Sequence, residues 1–169
     1  MIDADLFKKT MRHIASGVFV VTTRLNDRLH ATTATAFLPL SAEPAMVLLC
    51  MHRDSDTHRA LTQTARFGVN VLSQSQAALS RRFASKTPER YRIEDVPRIL
   101  SPGGVLFLKG SVAHIEVETV STTAGGDHTI FVGKVLWAQA DGRLRPLVYH
   151  QADHHGLAAL ADQEDRLTG

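Results

Sequence analysis

Hydrophobic and polar positions alternate over short, strand-length runs through most of this chain, and only a few stretches carry a helical period. Residues 3–16 place Leu6, Phe7, Met11, Ile14 and Ala15 on one face and Lys8, Lys9 and Arg12 elsewhere, which predicts an opening helix stopped by Gly17. Gly17 to Thr23 is then dominated by Val, Phe and Thr, a run that fits a pleated, buried surface. Asn26 to Arg28 supplies turn chemistry and predicts a hairpin into a second strand carrying Thr32, Thr33, Ala34, Thr35 and Ala36. Small side chains there let another molecule approach the backbone and offer it hydroxyl and amide hydrogen bonds. A Thr-rich edge strand facing water fits the same residues.

Further along, the continuous apolar run AMVLLCM after Pro44 predicts a mid-sheet strand buried on both faces. Ser55 or Asp56 can cap a short helix through Ala65, and FGVNVLS follows as a strand. Ser73 and Gln76 have capping-box spacing before a helix that shares Leu79 and Phe83 on one face and ends near Ala84. Residues 86–104, with three prolines, paired glycines and many charges, predict a long lid or rim. SVAHIEVE from Gly110 alternates Ala113, Ile115 and Val117 against Ser111, His114, Glu116 and Glu118, a strand with one wet face; STTAGGD then predicts a turn. HTIFVGKVLWAQ, residues 128–139, is the longest strand pattern, with Gly133 marking a bulge or close approach. A turn at Asp141 and Gly142, an edge strand PLVYH and a helical tail to Gly169 complete about six strands. Short strands with brief helices between them favour an antiparallel barrel with peripheral helices over a doubly wound parallel sheet.

At 169 residues and 44% hydrophobic composition the chain fits one soluble globular domain, drawn as residues 1–160 with a tail at 161–169. A formal charge of +2 gives no case for nucleic acid or a membrane surface as partner. Cys50 is the one cysteine, so no internal disulfide forms and a cytoplasmic setting is expected. The start, MIDADLFKK, lacks the order of a signal peptide, and no apolar run approaches the ~20 residues that span a bilayer.

Dinucleotide GxGxxG, P-loop, GxSxG and CxxC signatures are absent. His150, His154 and His155 have helical spacing, but no carboxylate completes a familiar ligand set, so no metal is expected. Arg81, Arg82, Lys86, Arg90, Arg92 and Arg98 form the one basic stretch, a solvated rim from which one or two side chains can steer an anionic ligand. The GGDHT turn, residues 125–129, sets His128 beside a carboxylate at a strand entrance.

Taken in order, Phe7, GVFVVTT (17–23), HATTATAF (30–37), LSAEP (40–44), SDT (55–57), FGVNVLS (67–73), RRFA (81–84), GDHTIFVGKV (126–135) and PLVYH (146–150) resemble the short-chain flavin reductases, the reductase components of two-component flavin-dependent monooxygenases. The likeness covers nearly the whole chain. It implies a mainly β fold with peripheral helices, an antiparallel split β-barrel of the FMN-binding type. It also implies a homodimer, bound FMN or FAD, NADH or NADPH as hydride donor, and a separate oxygenase as partner. Carried over residue by residue, it puts the flavin against Thr33, Ala34, Thr35, Ala36 and Phe37 with Ser41 nearby, then Cys50, Met51 and His52. Ser55 and Thr57 would meet the phosphate, Arg82 with Phe83 would lie beside it, and His128 would be the catalytic residue where flavin and nicotinamide meet. The family usually has Gly and Met where this chain has Ala31 and Thr32, Asn for His52, Ser for Asp54 and Pro for Ala45; Asp54 beside a phosphate would be unfavourable. A non-enzymatic flavin-binding or electron-carrier split barrel is the alternative, and a related barrel holding another cofactor such as haem is a third.

Overall fold

The computed structural model describes residues 2–87 and 93–158. In chain order the elements are α1 (Ala4–Met11), β1 (Ser16–Gly17), β2 (Phe19–Leu25), β3 (Arg28–Ala34), β4 (Phe37–Ala42), β5 (Ala45–His52), α2 (Asp56–Leu61), β6 (Arg66–Val71), α3 (Ala77–Ala84), β7 (Arg98–Leu100), β8 (Leu106–Leu108), β9 (Ala113–Gly125), β10 (His128–Ala140), β11 (Leu147–His150) and β12 (Asp153–Gly156). Twelve strands therefore stand among the described residues where about six were expected, because several short pairings leave no periodic trace. Seven of them form one antiparallel sheet in the order β3-β2-β6-β9-β10-β5-β4.

The sheet curls around an interior built from Val21, Val47, Leu49, Phe67, Val117 and Phe131, to which Phe19 and Phe37 add their rings from the two ends. This is the expected split-barrel arrangement of mainly antiparallel strands. Alternate residues of β2 point the other way, so Val20 joins a second cluster with Leu72, Phe83, Ile93, Leu108 and Leu147. Each such side chain taken fully from water contributes roughly 1.5–3 kcal/mol.

Local signals are realised where side chains act on their own backbone. Asn26 and Asp27 both take positive φ, 49° and 60°, in the two-residue turn that sets Leu25 opposite Arg28. The Ser55 hydroxyl accepts from the His58 N–H at the start of α2, and Ser73 and Gln76 form the expected capping box ahead of α3. Register shifts in β10 at Val132/Gly133, and a Cβ on Gly133 would stand 2.2 Å from Val117 Cγ1, so the position demands glycine.

Other expectations are corrected. The opening helix ends at Met11 rather than Ser16, and it buries none of its residues. β5 is buried on one face only: Val47, Leu49 and Met51 enter the interior, while Met46, Leu48 and Cys50 stay half-buried. Ser121 to Gly125 continue β9, and the turn is confined to Gly126 and Asp127. β11 is the middle strand of a three-stranded sheet with β1 and β12, not an edge, and Asp153 to Gly156 form a strand where a helix was expected. The rest of the tail, including residues 161–169, lies outside the described residues.

The excursion from residue 86 is no lid over its described part: Ile93 and Val96 are core residues, and β7 and β8 pair with each other against the sheet. Consequently the supposed wet face of β9 is covered, with His114 and Glu116 both buried. Among the described residues no helix is long and apolar enough to cross a membrane.

Candidate functional site

A cavity of about 650 Å³ opens between α3, the β3–β4 connection, the adjoining ends of β5 and β10, and the β11–β12 hairpin. Its long wall is the small-residue segment. The Thr33 hydroxyl donates to the Ser80 carbonyl of α3 at 2.7 Å, and Ala36 accepts from the Cys50 N–H of β5 at 2.9 Å, so residues 33–36 cross the cavity from α3 to β5.

Nine of the sequence-predicted residues come together here. Thr33, Ala34, Thr35 and Ala36 form the wall; Cys50, Met51 and His52 bring the end of β5; Ser55 and His128 complete that side. Five do not line it. Phe37 stacks tilted on Phe19, ring centroids 5.0 Å apart, as part of the interior. Ser41 lies further along β4, opposite Met46. Thr57 is buried in the first turn of α2, and Phe83 is fully buried in the second core cluster. Arg82 turns towards Asp95, 4.0 Å away, over the Phe83 ring.

Among the described residues the arginine on the cavity is Arg81 instead. Successive helical residues point about 100° apart, so two adjacent arginines cannot share a direction. Once Leu79 and Phe83 face the core, Ser80, Arg81, Ala84 and Ser85 line the cavity; that spacing was present in the sequence as a missed signal. Tyr149 and His154, also on the cavity, had no such signal, because their placement depends on the β11–β12 pairing. Of the other predicted cations, Lys86 and Arg98 do not line the cavity, while Arg90 and Arg92 lie outside the described residues.

Two polar clusters mark the cavity. On the α3 side, His154 Nε2 lies 2.8 Å from the Ser80 hydroxyl, and Arg81 can donate to Nδ1 at 3.4 Å. Burial pushes the His154 imidazole below its usual value, and the Arg81 charge adds to this. On the β5 side, His128 Nδ1 donates to Asp127 Oδ1 at 2.7 Å, and this bond holds the Asp127 carboxyl below the ordinary carboxylate range. Asp54 does not line the cavity; its backbone N–H donates to His52 Nδ1 at 3.2 Å, and its side chain is 92% exposed. Among the described residues no three His, Cys, Asp or Glu side chains group as metal ligands.

Beneath this side, His58 is buried with Nε2 2.8 Å from the Thr129 hydroxyl and no partner for Nδ1. Burial, then the Arg53 and Arg59 charges, lower its pKa from 6.5. His58 and His154 thus resist protonation in the fold, whereas the unfolded chain takes up those protons first. Their contribution to stability is therefore complete above the unfolded value of 6.5 and is lost as pH drops below it. Thermal melts followed from neutral to about pH 5 are expected to show this decline, with a shallower slope in His58→Gln; equal slopes in the two proteins would assign the acid sensitivity elsewhere.

Comparison with known proteins gives a consistent picture. The family model described as "Flavin reductase like domain" matches residues 11–158. The reductase subunit HsaB of a flavin-dependent monooxygenase from Mycobacterium tuberculosis is 33% identical over 159 residues, covering 92% of this chain and 83% of that protein. An NADH-dependent flavin reductase from Rhodococcus is 32% identical over 162 residues, covering 93% and 88%. Among solved structures, the flavin reductase PheA2 superposes with a TM-score of 0.85 at 33% identity, covering 94% of this chain and all of that one.

Proposed function

The chain belongs to the flavin reductase-like family, and from that premise we propose that it is an NAD(P)H:flavin oxidoreductase that supplies reduced FMN or FAD to a separate oxygenase component. The observation that carries this reading is the cavity walled by Thr33 to Ala36, small enough in side chain to let a flat ring lie against the strand and polar enough to bond its edge. When bound, the flavin supplies the hydride-accepting chemistry, which is the cofactor's own.

The residues of this chain orient and shield. Backbone groups and hydroxyls of Thr33 and Thr35 would meet the ring edge, Cys50 and Met51 would give an apolar flank, and Ser55 and Arg81, which also line the cavity, would take anionic phosphate oxygens. A hydride step needs the two rings held in contact and no general acid or base, which fits a cavity where no nucleophile–base pair stands among the described residues. His154 offers no such pair with Ser80: with Arg81 donating to Nδ1, the neutral ring carries its hydrogen on Nε2 and donates to the serine. Adding NADH or NADPH anaerobically to the protein with FMN or FAD should bleach the oxidised flavin spectrum catalytically. A spectrum that stays oxidised with both donors would leave a flavin carrier instead.

His128 borders the cavity at the β10 entrance, and in this proposal it acts on the hydride donor more than on the flavin. A lost neutral hydrogen bond is worth about 0.5–1.5 kcal/mol, so His128→Ala should slow reduction or raise the NAD(P)H requirement about threefold to tenfold. Stopped-flow reduction at wild-type rate and donor dependence, with much weaker flavin binding, would move the imidazole to the flavin shell.

A homodimer in the cytoplasm completes the proposal. Leu6, Phe7 and Met11 on α1 and Leu38 and Leu40 on the end strand β4 are exposed, apolar surface that a second copy would cover. Light scattering at micromolar concentration is expected to give twice the chain mass; a fully active monomer would contradict it.

A further inference from the structure

The turn that carries His128 is held from across the sheet by the residues at the end of β5. The Arg53 N–H donates to the Asp127 carbonyl at 3.1 Å, and the Arg53 guanidinium donates to the Gly126 carbonyl. His52 and His128 are directly opposed in the β5–β10 ladder, their rings edge to face with centroids 5.1 Å apart. The Asp127 carboxylate serves both imidazoles: Oδ1 takes the bond from His128 Nδ1, and Oδ2 lies 3.7 Å from His52 Nε2.

These contacts decide where the hydrogens sit. His52 Nδ1 accepts from the Asp54 N–H, so a neutral His52 carries its hydrogen on Nε2, the nitrogen facing Asp127. A carboxylate cannot donate, so the hydrogen of a neutral His128 is on Nδ1 and Nε2 keeps its lone pair. The His52 ring packs beside that of His128 at an interplanar angle of 79°.

We infer that His52 and Asp127 are positioning residues that hold His128 as its Nδ1–H tautomer, so that Nε2 accepts a hydrogen bond from a bound N–H donor, the primary carboxamide of the nicotinamide. The inference rests on the proposed reductase reading for its ligand, but its tautomer half stands on this chain alone. His52, which the resemblance would place against the flavin, gains a second task through the carboxylate it shares. A carboxamide has both a carbonyl and an N–H, whereas a methyl ketone in its place has the carbonyl only. The site should therefore prefer oxidised NAD, as a dead-end ligand, over its 3-acetylpyridine analogue.

Two measurements test this. Proton–nitrogen correlation spectra of flavin-free protein with ¹⁵N-labelled histidine, assigned by comparison with His128→Ala, are expected to show His128 protonated at Nδ1. Asp127→Ala should turn it largely to the Nε2–H form, and His52→Ala should give a mixture. A wild-type Nε2–H form, or spectra unmoved in both variants, overturns the tautomer assignment whether or not the protein reduces flavin. In the second measurement, wild type should bind the carboxamide ligand about threefold to tenfold better than the ketone, and Asp127→Ala should lose that preference. Equal binding in wild type, or a preference surviving in Asp127→Ala, overturns the ligand assignment even if the spectra hold. Asp127 and His52 are both exposed to a substantial degree, so neither alanine is expected to unfold the chain.

Discussion

Replacing Ala34 with Phe is expected to weaken flavin binding by about fivefold to 150-fold while the protein stays folded, since forcing a ring into filled space costs roughly 1–3 kcal/mol. Ala34 is the last residue of β3, paired with Phe19 in the ladder, and it lies where residues 33–36 cross the cavity. Its side chain is only partly buried, borders the cavity and also packs against the interior cluster that Phe19 joins, so the ring is felt on both sides. The variant is expected to melt somewhat lower as well, so the flavin titration is read on the protein that remains folded. Ser41→Ala, on β4 away from the cavity, makes the matched control and should titrate like wild type. A folded Ala34→Phe protein with the wild-type titration would remove this strand from the site and, with it, the observation on which the proposed function stands.

That strand segment was legible because its signal is local: side-chain volume and hydroxyl content are properties of the residues themselves. So were the hairpin at Asn26 and Asp27, the Ser55 cap and the Ser73–Gln76 box, each a contact within four residues. The site was legible in part for the same reason, since β3, β5 and β10 meet through strands whose patterns are strong. Arg81 and Arg82 show where that ends. Both are cations on one helix, and only the packing of Phe83 into the core decides which reaches the cavity. Ser80 and His154 show it again, 2.8 Å apart but 74 residues distant in sequence, joined by a hairpin that the tail's composition disguised as a helix.

The wet face assigned to β9 and the lid assigned to residues 86–104 share a single cause. The segment leading through β7 and β8 lies against the polar side of β2, β6 and β9, and their polar side chains bond its backbone. Thr22 donates to the Leu106 carbonyl at 2.6 Å, His114 Nε2 to the Leu108 carbonyl at 2.8 Å, and the Leu108 N–H donates to Asn70 Oδ1 at 2.7 Å. Phe107 closes the layer against His114 and Trp137. Alternation reports which residues are polar; it cannot report that a later segment will cover them and supply their partners.

Asn70 is the point at which that layer is most exposed to test. Its side chain is fully buried, and besides accepting from Leu108 it donates through Nδ2 to the Val20 carbonyl at 2.8 Å, tying β2, β6 and β8 at one residue. Leu is close in shape and more apolar, so burial alone would make Asn70→Leu stabilising. Against this, the substitution leaves the buried Leu108 N–H without its acceptor, worth about 1–3 kcal/mol when unmet, and takes the side-chain donor from a Val20 carbonyl that keeps its ladder bond, so the polar loss wins by about 1–3 kcal/mol. At about 2–4 °C per kcal/mol for a domain of this size, the melting temperature should fall by roughly 2–12 °C. Leu100→Ala, at a side chain 63% exposed on β7, should move it little, which separates the bonded layer from its outer rim. An Asn70→Leu protein that melts with wild type would mean that β8 is held by apolar packing alone, and the account of the covered face would fall with it.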